Sequence, residues 1–123
     1  MVEVICDTSF LIVLANRPVK GMDELEARFG KVNFLIPTAV IKELNKLASS
    51  TGVKRAKEAK LTLDLISKFK IVRLDSVVAD DAIIDYAARR KCMAATIDNE
   101  LKNKLQRNGM SVVTLSKNKL IVV

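Results

Sequence analysis

The chain has no histidine and no tryptophan, and only one tyrosine, two prolines, four glycines and two cysteines in 123 residues. Without histidine, a Ser-His-Asp triad, a Cys-His pair and histidine-ligated zinc are all excluded. The glycines fall in no G-x-G-x-x-G or G-x-x-x-x-G-K arrangement, which removes dinucleotide and P-loop phosphate cradles. Cys6 and Cys92 form no C-x-x-C pair, so a zinc ribbon or thioredoxin-type site has no basis. Each borders an apolar run and reads as a small, reduced core residue. Aromatics are 4% of the chain, too few for base stacking of the RRM or OB-fold kind. No stretch approaches the roughly eighteen apolar residues of a membrane-spanning helix. The run Met1–Asp7 lacks the basic start and long apolar stretch of a signal peptide. A cytoplasmic protein with no membrane partner is the expectation, and any chemistry must come from carboxylates, lysines and hydroxyls.

What is present is an aliphatic chain, half hydrophobic, with a net charge of +7. This composition suits an ordinary α/β interior, and the charge favours an anionic partner. Short apolar runs at Val2–Cys6, Asn33–Ile36, Ile71–Leu74, Cys92–Thr96 and Val112–Leu115 read as five strands, with Leu120–Val123 as an added edge piece. Between them, helical patterns cover Thr8–Asn16, Asp23–Phe29, a segment capped by Thr38, Lys54–Phe69, Val77–Lys91 and Asn99–Arg107. Strands alternating with helices over short connections predict a parallel sheet covered on both faces. The expected fold is a three-layer α/β/α sandwich with a central, mostly parallel five-stranded sheet, one domain over residues 1–123.

In such sheets ligands bind beyond the carboxyl ends of the strands. Asp7 directly follows the first strand and Asp98 lies just beyond the fourth. Either alone is explained as a cap of the helix that follows. Together they would repel unless a cation sat between them. Glu43 lies at the margin of the Val40–Leu44–Leu47 stripe and can reach the same edge. Its competing explanation is a surface pair with Lys46 three residues on. Asp80 begins an apolar helix face shared with Ile83, Ile84 and Ala87, whereas Asp81 points toward Asp85 and Arg89. Asp80 is therefore the preferred fourth acid and Asp81 the alternate. Oxygen donors alone suit hard cations, magnesium or manganese (Mg²⁺ or Mn²⁺). Such ions activate a water and stabilise the leaving oxygen of a phosphodiester. Lys46, Lys54, Arg55, Lys57 and Lys102 are the candidates for contact with a phosphodiester backbone. Lys60, Arg89-Arg90-Lys91, Lys104 and Arg107 add to the basic flanks. About half of these flanking positions are expected to serve as solvated faces or helix-dipole contacts.

Four segments carry a family resemblance: Cys6-Asp7-Thr8-Ser9-Phe10-Leu11, Ile36 to Leu44, Ala79-Asp80-Asp81-Ala82-Ile83, and Ala95-Thr96-Ile97-Asp98-Asn99-Glu100-Leu101. In their order and spacing the chain resembles a PIN-domain ribonuclease. The Asp80-Asp81 doublet and the Ile97–Leu101 segment look most like the archaeal and eukaryotic branch that processes ribosomal RNA. One departure is the stretch Lys91–Asp98, about one residue shorter than in that branch, which keeps the choice between Asp80 and Asp81 open. The resemblance implies a Mg²⁺- or Mn²⁺-dependent endoribonuclease acting on rRNA precursors or other structured RNA. Asp7, Glu43, Asp80 and Asp98 would be its catalytic and metal-binding acids. Ser9 and Thr96 match the family's supporting hydroxyl residues. A homodimer is common in that family. Two alternatives stand beside this reading: a toxin-type PIN ribonuclease partnered by an antitoxin protein, and a catalytically silent scaffold that binds RNA or protein. A phosphoacceptor receiver domain also uses acids at strand ends, but Glu3 and Lys117 are poorly placed for it.

Overall fold

Val4 and Cys6 face one side of a central sheet and Ile5 the other, and this alternation organises the molecule. The computed structural model describes residues 1–74 and 79–123. In chain order its elements are β1 (Val2–Cys6), α1 (Thr8–Asn16), α2 (Met22–Phe29), β2 (Val32–Pro37), α3 (Thr38–Ala48), α4 (Val53–Ile66), β3 (Lys70–Val72), α5 (Ala79–Arg90), β4 (Met93–Ala95), α6 (Asn99–Arg107), β5 (Val112–Ser116) and β6 (Lys119–Val122). Phe34 and Ile36 of β2, Met93 and Ala95 of β4, and Val113 of β5 join Val4 and Cys6 on the face covered by α1, α3 and α4. Leu35, Ala94 and Val112 join Ile5 on the face covered by α5 and α6, where Ile83, Tyr86, Leu101 and Leu105 pack. A strand buried on both faces reads as an unbroken apolar run, as Val4-Ile5-Cys6 does. Both cysteines are free; Cys6 is fully buried and Cys92 half-buried.

The strand order is β3-β2-β1-β4-β5-β6. All pairings are parallel except β5 with β6. The chain builds outward from β1 in one direction, through β2 and β3. It then returns to lay β4, β5 and β6 on the other side. The reversal falls between β1 and β4, the kind of switch point where open α/β sheets form their ligand crevice. Asp7 follows β1, and Asp98 lies three residues beyond the end of β4.

Two expectations need correction. The sheet has six strands among the described residues, not five, because the edge piece is a full strand. β5 and β6 are joined through Lys117 and Asn118, with φ of 51° and 63°. Two left-handed residues are what a tight type I′ hairpin requires, and Asn-Gly is its usual signal. Lys-Asn gives a weak one. Nor does Thr38 cap α3: it is the first helical residue, after Pro37. Its hydroxyl donates to the Leu74 carbonyl and accepts from the Leu74 N–H, both at 3.0 Å. Thr38 thereby ties the end of β2 to the chain leaving β3. The expected start of the fifth helix at Val77 lies outside the described residues.

Candidate functional site

Asp7 is held at the switch point from both sides. Its backbone N–H donates to the Ala95 carbonyl of β4 at 3.0 Å. Its carboxylate caps α1, accepting from the Phe10 N–H at 2.9 Å. The Ser9 hydroxyl stands 3.0 Å from both carboxylate oxygens, and the Thr96 hydroxyl donates a short bond to Oδ2. Asp7 is only 6% exposed. Ser9 has one proton and can serve one oxygen at a time, so not all of the roughly four acceptor positions are taken.

Thr96 is fully buried and works in two directions. While donating to Asp7, its oxygen accepts the Asp98 N–H at 3.0 Å. Asp98 in turn caps α6, accepting from Glu100 N–H at 2.8 Å and Leu101 N–H at 3.3 Å. Capping and site membership are therefore both true of Asp7 and Asp98. Neither role displaced the other.

Glu43 and Asp80 complete the group. Asp7, Thr8, Ser9, Val40, Glu43, Asp80 and Asp98 line one pocket of about 130 Å³. The competing surface pair of Glu43 with Lys46 is not seen among the described residues. Glu43 instead accepts from the Thr8 hydroxyl at 3.0 Å. Asp80 lies partly buried in the first turn of α5, whereas Asp81 is exposed and outside the pocket lining. The polar side of that helix carries the Asp85–Arg89 ion pair at 2.9 Å.

Burial, with neighbouring acids adding to it, raises the proton affinity of Asp7 and Asp80. Burial pushes the Asp7 carboxyl up to about 6, against the hydrogen bonds from Thr96, Phe10 N–H and Ser9. The charge of Asp80 adds to the rise. Asp80 is itself pushed up, first by burial and then by Asp98, with Lys104 opposing. Crowded, partly desolvated carboxylates are relieved by protons or by a cation. All the side-chain donors are oxygen, the set that hard cations take. Among the described residues, no three acidic or thiol side chains stand close enough to wrap one ion directly. A Mg²⁺ ion needs only one or two carboxylates, because it keeps several of its waters. The residues fit such an ion.

Size alone would point elsewhere. A larger hollow of about 480 Å³ lies among Val2, Phe29, Cys92, Met93 and Met110, and no carboxylate lines it. The small acidic pocket sits where the topology directs a ligand.

None of the candidate RNA-contacting cations lines that pocket. Lys46, Lys54, Arg55 and Lys57 are exposed and Lys102 is half-buried. Lys57 and Lys60, with Ser49, Ser50 and Thr51, border a separate hollow of about 360 Å³ where α3 turns into α4. Part of the basic flank is engaged in ion pairs: Arg89 with Asp85, Arg90 with Glu3 at 3.7 Å, and Lys104 with Glu100 at 3.4 Å. Sequence reasoning missed Thr8 and Val40 as pocket residues. The signal for Thr8 is a hydroxyl directly after Asp7, which as the first residue of the helical pattern Thr8–Asn16 drew no separate role.

The chain is similar to several known proteins. Ribonuclease VapC9 of Archaeoglobus fulgidus is 31% identical over 119 residues, covering 97% of this chain and 87% of the relative. Ribonuclease VapC4 of Methanocaldococcus jannaschii is 30% identical over 123 residues, covering 97% and 94%. The structure of the PIN domain endonuclease Utp24 superposes with a TM-score of 0.74 at 25% identity, covering 98% of this chain and 90% of that one. VapBC2 from Rickettsia felis, bound to a DNA fragment from its promoter, shares the fold with a TM-score of 0.65 at 14% identity, covering 94% and 100%. A family profile described as a PIN like domain matches residues 4–118. With that match over nearly its whole length, the chain belongs to the PIN-like domain family.

Proposed function

We propose that the protein is a metal-dependent endoribonuclease that hydrolyses phosphodiester bonds in RNA. One observation carries the reading: acids on or capping four separate helices, Asp7, Glu43, Asp80 and Asp98, line a single pocket in a chain of net charge +7. A fold gains no stability from crowding like charges, so the grouping is better explained by a ligand. The two archaeal relatives are named as ribonucleases and the structural neighbour as an endonuclease, which supports the same chemistry here.

Of Asp7, Glu43, Asp80 and Asp98, one or two would hold Mg²⁺ or Mn²⁺ directly and the others through its water shell. When bound, the ion supplies an activated water and charge stabilisation at the leaving oxygen. The chain's own part is positioning. Thr96 aligns Asp7 with Asp98, Ser9 limits the rotation of the Asp7 carboxylate, and burial of Asp7 keeps bulk water off one side. Lys46, Lys54, Arg55, Lys57 and Lys102 would meet the backbone phosphates of the substrate.

Asp7→Asn keeps the α1 cap but removes the charge. With Mn²⁺ and a structured RNA, it is expected to lower cleavage at least 100-fold against wild type. Equal activity in the two would sink the proposal. The resemblance of the Asp80-Asp81 doublet and the Ile97–Leu101 segment to the ribosomal-RNA-processing branch supports an rRNA-processing role. The toxin reading is favoured by the names of the archaeal relatives. Growth arrest on expression, relieved by the product of an adjacent small reading frame, would select the toxin reading.

A further inference from the structure

Glu43 is the outlying member of the acidic group. It sits on α3, is exposed, and among the described residues its one side-chain hydrogen bond is the 3.0 Å contact with the Thr8 hydroxyl. Thr8 is only 7% exposed. A buried hydroxyl needs a partner, and inside a helix threonine usually finds it in the carbonyl four residues back. Thr8 is the first residue of α1, so that position, Val4, belongs to β1. The hydroxyl reaches across to α3 instead.

We propose that Thr8 is a positioning residue: its hydroxyl fixes the Glu43 carboxylate over the acidic pocket and thereby sets the affinity for Mn²⁺ or Mg²⁺. This rests on the metal-dependent reading above and assigns a role to a residue that reading does not use. A glutamate on a helix surface has three free side-chain torsions and samples many positions. Thr8 occupies Oε2, leaving Oε1 for an ion, and joins α3 to the corner where Asp7 leaves β1. Thr96 likewise donates to the Asp7 carboxylate while accepting from the Asp98 backbone N–H. Two buried threonine hydroxyls then hold the Glu43 and Asp7 carboxylates, and the chain at Asp98, before any ion arrives.

The test is Mn²⁺ binding to the full chain by isothermal titration calorimetry, with Mn²⁺ alone as the probe. Thr8→Val and Thr8→Ala are expected to weaken binding 10–100-fold, the usual effect of losing a hydrogen bond behind a metal ligand. Thr8→Ser restores the hydroxyl and is expected to bind within about threefold of wild type. In a Glu43→Gln background, Thr8→Val is expected to add almost nothing, because its effect passes through Glu43. Undiminished binding in both Thr8→Val and Thr8→Ala overturns the role of Thr8 and leaves the ribonuclease reading intact. A full additional loss on top of Glu43→Gln overturns it likewise. A wild-type protein that binds no Mn²⁺ overturns the metal reading, and the role of Thr8 with it.

Discussion

Asp7 carries two roles that oppose each other in the metal-free protein. As a cap it stabilises α1; as a buried carboxylate beside Asp80 it resists ionisation. Its folded carboxyl holds a proton up to about pH 6, against an ordinary value of 3.8. A raised folded pKa means that stability is fully present below pH 3.8 and is lost as pH rises through 6. Without divalent ions, this group is expected to make the protein roughly 1–2 kcal/mol less stable at pH 8 than at pH 5. Urea unfolding of wild type against Asp7→Asn isolates the effect, since asparagine caps but does not titrate. Parallel stability–pH curves for the two proteins would contradict it. Adding Mn²⁺ is expected to reverse the loss at pH 8 by binding the folded state alone. Asp7, Asp80 and Asp98 were legible as candidates because each follows a strand or begins a helix, whereas Glu43, in the middle of α3, was reached only from its place beside an apolar stripe. The partner of Glu43 was not legible. Lys46 is near in sequence, but Thr8, 35 residues away, is brought near only by packing of α1 beside α3.

The helices were legible to within a residue or two wherever an apolar stripe ran between capping signals, as in α1 and α6. The least legible element is β6, and the cause is its turn. Lys117 has a φ of 51° without being glycine or asparagine, so the hairpin is strained where its sequence signal is weakest. Replacing Lys117-Asn118 with Asn-Gly is expected to stabilise the protein by roughly 0.5–1.5 kcal/mol, read as a higher urea midpoint with unchanged slope. A lower midpoint would show that the Lys117 side chain contributes more than its backbone costs. The far side of β6 is pinned as well. Lys20 N–H donates to the Asn118 carbonyl and Leu120 N–H to the Lys20 carbonyl, both at 2.8 Å. The next residue, Gly21, has a φ of +96°, and an added Cβ there would meet the Leu120 backbone at 3.1 Å. No periodicity predicts that approach, since it depends on a loop meeting a strand a hundred residues away.

The charge of the whole chain divides by location. Acids gather at the switch point, while Lys54, Arg55 and Lys57 stand exposed at the start of α4 and make no ion pair among the described residues. Were these three to meet phosphates, replacing all of them with alanine should lower the slope of log affinity against log salt by about 2 for single-stranded RNA. Fluorescence anisotropy across a salt series, with Asp7→Asn as the uncleaving background, measures it; an unchanged slope would move the backbone path to another face. Charge balance was legible from composition, but which lysines are left unpaired was not, since pairs such as Arg90 with Glu3 join residues distant in sequence. Finally, the capping bonds of Asp7 and Asp98 bear on how such a chain could decay. A lineage released from selection for a shared ligand could vary at Glu43 with only the Thr8 hydroxyl bond at stake. Positions 7 and 98 would drift mainly among Asp, Asn, Ser and Thr, the residues that close a helix start. Such a descendant would thus keep two of the four clustered positions as scaffolding.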